Sequence, residues 1–180
     1  MKKIFFSIAL LSITSVTLAA ANGLIPSAII ENESQRSIKN AVETGPAIKA
    51  YLLVKDALVA GNGAAASEAG TALTAALTQL GKEMATPAER SAFSKDGKGA
   101  FKSAEAIGKT KDIKVQRKAF EELSAHFYNL IKATGTSSVL YLDYCPMAKA
   151  SWLSDNKAIA NPYYGKSMLS CGSVKETLEP

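Results

Sequence analysis

The stretch IKVQRKAFEELSAHFYNLIKATG, residues 113–135, decides the fold class. Ile113, Phe120, Phe127 and Thr134 recur every seven residues, and Leu123, Leu130 and Ile131 join the same stripe. Apolar side chains at that spacing share one face of a helix, which must be buried against other elements. Gly135 then provides the stop that commonly follows a last helical turn. A helix of this length and pattern needs partners of its own kind.

The chain upstream supplies three. Ile48, Tyr51, Leu52, Lys55, Leu58 and Val59 follow the i, i+3, i+4 pattern after Gly45-Pro46, and Gly61-Asn62-Gly63 ends that helix. A second helix is predicted from about Ala64 to Leu80, with Ala65, Ala69, Leu73, Ala76, Leu77 and Leu80 on its stripe and Met84 just beyond as core filler. Alanines on that face allow close helix–helix approach. Thr86-Pro87-Ala88-Glu89 is a start signal: Thr86 can cap, Pro87 suits the first helical position, and Glu89 can complete a capping box. The third segment, Pro87 to about Ile107, reads as a broken helix, because Gly97 and Gly99 weaken its middle. Four helices with short Gly-rich connections predict an all-α core, an antiparallel four-helix up-and-down bundle.

Downstream of Gly135 the period changes. Val139, Leu140, Tyr141, Leu142 and Tyr144 read as one short strand leading to Cys145-Pro146, and a later segment near Met168 to Val174 is expected to pair with it. This small C-terminal strand and loop unit, residues 136–178, holds both cysteines and the only tryptophan. Tyr163, Tyr164 and Trp152 are expected to seal it against the helices.

At the other end, Lys2-Lys3, an apolar run from Ile4 to Leu18 and Ala19-Ala20-Ala21 read as an export signal over residues 1–21. The run is too short and too rich in hydroxyls for a membrane span, so the chain is expected not to span a membrane after cleavage. Residues 22–45 read as a mobile lead-in, with a helical turn near Gln35 to Val42. Residues 46–180 then form a single domain. The formal net charge is +5, and Lys2 and Lys3 carry two of those charges. The remaining lysines are scattered without interleaved aromatics, which argues against a nucleic-acid partner. The chain has one histidine, so no hydrolase triad can be assembled around its serines. No Gly-rich phosphate loop, HExxH or EF-hand pattern occurs either, and no enzymatic activity is expected.

The chemistry-bearing residues are sulfurs. Cys145-x-Met147 puts two soft donors on one face of an extended segment, and Met168-x-x-Cys171 does so on a helical turn. Thiolates and thioethers suit Cu(I) or Ag(I). The competing reading is a Cys145–Cys171 disulfide, the default for two cysteines in an exported chain. Closing its loop of about 27 residues is worth about 3.5 kcal/mol on the chain-entropy treatment. His126 flanks the stripe of the last helix between Ala119 and Ala133. It reads either as a partly buried histidine bonded to backbone or water, or as a metal ligand or polar contact of the C-terminal unit.

Several segments together resemble a known family. They are Gln116-Arg117-x-x-Phe120-x-x-Leu123-Ser124, Tyr144-Cys145-Pro146-Met147-Ala148, Trp152-Leu153-Ser154 and Asn161-Pro162-Tyr163-Tyr164-Gly165, followed by Met168-Leu169-x-Cys171-Gly172. They are similar to an uncharacterised exported bacterial domain family, over roughly Pro46 to Leu178. Members of that family stand alone behind a signal peptide, are fused to periplasmic adaptor subunits of copper/silver efflux systems, or accompany heavy-metal-binding domains. The resemblance implies a periplasmic helical domain linked to heavy-metal handling, with an efflux adaptor or related component as partner. If such a domain binds copper, Cys145, Met147, Met168 and Cys171 are the ligand positions, with His126 fifth. The expected function is a Cu(I)/Ag(I) binding or delivery module. The alternative is a structural or docking module of an envelope complex with its cysteines joined in a disulfide.

Overall fold

The computed structural model describes residues 42–180. The export signal expected at 1–21, most of the lead-in expected at 22–45 and the turn expected from Gln35 lie outside the described residues.

Helix α1 (Gly45–Ala60) starts one residue before Pro46, and Gly61 ends it in the left-handed conformation at φ 73°. Helix α2 (Gly63–Glu83) follows at once. Asn62 Oδ1 caps it by accepting from the Ala65 N–H at 3.1 Å. The capping box predicted at Thr86 is formed: Thr86 Oγ1 accepts from the Glu89 N–H at 3.2 Å, and Glu89 Oε2 accepts from the Thr86 N–H at 2.8 Å. It opens helix α3 (Pro87–Ala92), which passes through a π turn (Phe93–Gly97) into helix α4 (Lys98–Gly108). The break expected here is therefore a widened turn within one helical rod. Asp112 caps helix α5 (Ile113–Thr134), whose bounds are those of the decisive stretch, with Gly135 at its end.

Successive helical rods pack against one another: α1 on α2, α2 on α4, α4 on α5. Their common core is Tyr51, Leu58, Leu73, Leu77, Phe120 and Phe127, all fully buried. Tyr51 stacks on both phenylalanines, with ring centroids 4.5 Å from Phe127 and 5.3 Å from Phe120. Fully buried Gln116 fastens the other end of the core, its amide donating to Gly63 O at 2.8 Å and Thr110 O at 2.7 Å.

The C-terminal unit is a three-stranded antiparallel sheet. Strand β1 (Leu140–Cys145) lies in the middle, between β2 (Ala150–Ser154) and β3 (Ser173–Leu178). The central strand is the predicted one. The partner expected near Met168 to Val174 is β3, which shares only Ser173 and Val174 with that segment and runs on to Leu178, while Gly165–Met168 forms a 3-10 turn. Strand β2 was not anticipated: Trp152, Leu153 and Ser154 are consecutive and all buried, so the alternation that marks a half-exposed strand is missing. The sheet packs on α5 through β2, and the Tyr51 hydroxyl reaches it by accepting from the Leu153 N–H at 3.1 Å.

Candidate functional site: a paired thiol at the end of the central strand

Cys145 closes β1, opposite Ala150, and is fully buried. Cys171 lies between the 3-10 turn and β3 and is partly exposed. The fold brings them together: their Sγ atoms stand 2.9 Å apart, as free thiols. That is a thiol–thiol contact, longer than the roughly 2.05 Å of a disulfide bond. The disulfide expected from the sequence is thus within reach but not formed in this structure.

The loop carrying Cys171 is held by Asn161, which is fully buried. Its Nδ2 donates to Cys171 O at 2.8 Å, its Oδ1 accepts from the Tyr163 N–H at 2.8 Å, and its backbone N–H donates to Leu169 O at 2.8 Å. Next to Cys171, Gly172 has φ +154°, and a Cβ there would lie 2.9 Å from Trp152 Cη2. Glycine is required for the chain to pass this close over the indole. Asn161 stood in the sequence within a motif of the resemblance, but nothing in residue type or spacing marked it as the residue that positions a sulfur.

The two thiols are electrostatically unequal. Burial pushes the Cys145 thiol up. The hydrogen bond from Cys171, the backbone N–H groups of Ala148 and Met147 and the Asn161 side chain outweigh it and leave Cys145 below its ordinary value. Cys171 is pushed up, chiefly by the hydrogen bond it makes to Cys145. Of the expected thioether donors, Met147 is 63% exposed in the β1–β2 turn. Met168 is half-buried, and its carbonyl accepts from the Cys171 N–H at 3.1 Å. Among the described residues, no three His, Cys, Asp or Glu side chains converge.

His126 is seated elsewhere. Its Nδ1 lies 3.1 Å from Asp96 Oδ1, and its ring packs over Gly99. Asn129 Nδ2 donates to the same carboxylate oxygen at 3.2 Å. The π turn is what aims Asp96 inward, which is why the partner was hidden in the sequence: the extra residue breaks the helical spacing from which facing positions are read. Burial pushes Asp96 up, but His126 and Asn129 together hold it below the usual carboxylate range. The histidine thus faces the helical rod, in place of the C-terminal contact considered above.

The architecture defines a class: a mainly helical domain closed by a small antiparallel sheet that carries a thiol pair. Residues 47–139 match the family described as a protein of unknown function, DUF3347, and the chain belongs to that family. No curated protein and no solved structure matches the chain. The matched segment ends just before β1, so His126 lies within it while Cys145, Met147, Met168 and Cys171 lie beyond it.

Proposed function

We propose that the chain is an exported, non-enzymatic module that holds a soft monovalent ion, Cu(I) or Ag(I), at Cys145 and Cys171. Met147 and Met168 serve as thioether donors. The observation that carries this reading is the 2.9 Å approach of two sulfurs from segments far apart in sequence. Two adjacent thiolates repel each other, and a soft cation between them relieves that repulsion while matching the donor type. Among the described residues, no third His, Cys, Asp or Glu side chain joins the two thiols, as a tetrahedral zinc site would need. In this reading the helices are an antiparallel up-and-down scaffold, and the periplasm is the working compartment. An efflux adaptor is the partner to which the ion passes, in keeping with the resemblance to domains of such systems. Among the described residues no helix is long and apolar enough to cross a membrane.

Titration of the reduced chain with Cu(I) against a competing chelator tests this. Cys145→Ala and Cys171→Ala are each expected to weaken binding at least tenfold, and Met147→Ala with Met168→Ala by less. His126→Ala should leave it unchanged. Affinity retained when both cysteines are replaced would rule the site out.

A second reading is favoured by the complete burial of Cys145 beside its partner thiol: a docking module whose thiols close into a structural disulfide. Alkylation and mass spectrometry of protein taken from the cell envelope separate the two. A fully oxidised, reductant-resistant pair supports the second, and a readily alkylated dithiol the first.

A further inference from the structure

Metal binding does not account for the asymmetry of the thiol pair. Cys145 is fully buried at the end of a central strand, whereas Cys171 is partly exposed in a loop. Asn161, fully buried, fixes the Cys171 loop by donating from Nδ2 to Cys171 O at 2.8 Å, which sets the two Sγ atoms 2.9 Å apart. Exposed apolar side chains stand two residues from each cysteine, Met147 at 63% and Leu169 at 46%. A site serving only as a structural bridge needs neither an accessible sulfur nor an apolar rim beside it.

We propose that Cys145 and Cys171 form a thiol–disulfide exchange couple. Cys171 is the sulfur that meets a partner's disulfide, and Cys145 is the sulfur that resolves the mixed disulfide. Access selects the first: only Cys171 can be approached from solvent, and exchange requires in-line attack by an accessible thiolate. Cys171 gives its proton to solvent and attacks one sulfur of the partner's disulfide. The partner's S–S bond breaks, and its second sulfur leaves as a thiolate and is protonated. Cys145, whose Sγ already lies 2.9 Å from Cys171 Sγ, then gives up its own proton to solvent and attacks that sulfur. The Cys145–Cys171 bond forms and the partner's first sulfur departs as a thiolate. The chain has lost two electrons and two protons, and the partner has become a dithiol. The reverse sequence reduces the chain. Asn161 keeps Cys171 facing Cys145, so the second step follows the first without a search.

The test uses the full chain, reduced and treated with a chelator, with oxidised glutathione as the probe. In the wild-type chain, acid quenching and peptide mapping at early times are expected to find glutathione on Cys171 only, followed by the internal disulfide. Cys145→Ser should accumulate the Cys171 adduct. Cys171→Ser should react at least tenfold more slowly, with Cys145 modified only once the chain is unfolded. An early adduct on Cys145, equal reaction at both sulfurs, or a dithiol that resists oxidation until denatured would overturn the proposal. The wild-type mapping decides the matter even if a variant fails to fold. A chain that exchanges in this order without binding Cu(I) loses only the metal reading, and one that binds Cu(I) without exchanging loses only this one.

Discussion

Asp143 sits in the middle of β1, opposite Trp152, and is completely buried. Neither carboxylate oxygen has a hydrogen-bond partner, and the indole N–H of Trp152 is likewise unpartnered. Burial pushes its pKa up from 3.8 to about 6, with buried Lys55 pulling the other way. Lys55 is itself engaged by Asp56 at 2.9 Å and Asp155 at 3.7 Å. The folded protein therefore holds the Asp143 proton at pH values where the unfolded chain has released it. Stability is lost as pH rises from about 4 through about 6, and the full penalty persists above that. Asp143→Asn removes the charge, so it is expected to stabilise the chain at pH 8 by about 1–3 kcal/mol. That advantage should shrink to nothing near pH 4. Paired denaturant midpoints from pH 4 to 8 check it, and a variant less stable than wild type at pH 8 would mean the carboxylate is charged and paired.

At the scale of elements, the π turn explains both the weakness of the third segment in sequence and its integrity in structure. Gly97 and Gly99 do lower helix propensity there, but the rod continues because the wide turn delivers Asp96 to His126 and Asn129. Gly99 is where the imidazole lies: a Cβ would come within 2.5 Å of its Cδ2 and Nε2. Alanine in a helix interior normally gains about 1 kcal/mol over glycine. Here Gly99→Ala is expected to lose about 1–2 kcal/mol instead, because His126 must leave Asp96 and expose a buried carboxylate. In a His126→Ala background the same substitution should turn neutral or stabilising, and a double-mutant cycle in denaturant reads the sign change. The helices were legible in the sequence because caps, glycine stops and the heptad of residues 113–135 are local signals. The Asp96–His126 contact was not, since one inserted residue changes which side chains face inward. Only the start of strand β3, Ser173 and Val174, fell within the expected segment, because Val174 to Leu178 alternates half-buried with exposed positions and lacks the apolar run that marked β1. Its Glu176 instead anchors to α5 through Tyr128 at 2.6 Å and Lys132 at 2.9 Å. That the two thiols lie close was expected from there being just two cysteines, although they stand as free thiols rather than as a bond. The loop that brings them together, built on Asn161, could not be read from residue types.

The whole molecule raises the question of where the folding unit ends, since the family match stops at residue 139 and the thiols lie after it. Helices that could stand alone would leave the sheet as an appendage, but the contacts across the junction argue otherwise. The Tyr51 hydroxyl bridges Ser124 of α5, at 2.7 Å, and the Leu153 N–H of β2. Arg117 donates from Nε to Pro162 O and from Nη2 to Leu58 O, each at 3.0 Å, tying α1, α5 and the loop after β2 together. Tyr163 lies against Phe120 with centroids 5.8 Å apart and against Trp152 at the same separation. Removing residues 140–180 would strip fully buried Trp152 and Leu140 from the core and leave Arg117 short of an acceptor. Losing even one large buried aromatic costs about 3–5 kcal/mol, against a total stability of about 5–15 kcal/mol for a domain. A chain ending at residue 139 is therefore expected to keep helical circular dichroism while losing its cooperative thermal transition and binding a hydrophobic dye. A sharp, dye-free melt from that fragment would show that the helices fold alone and that the thiol-bearing sheet is a separable addition. The expected loss of cooperativity would instead mean that the sulfurs are embedded in the folding unit, so that Cys145 keeps its place in β1 whatever binds or reacts at Cys171.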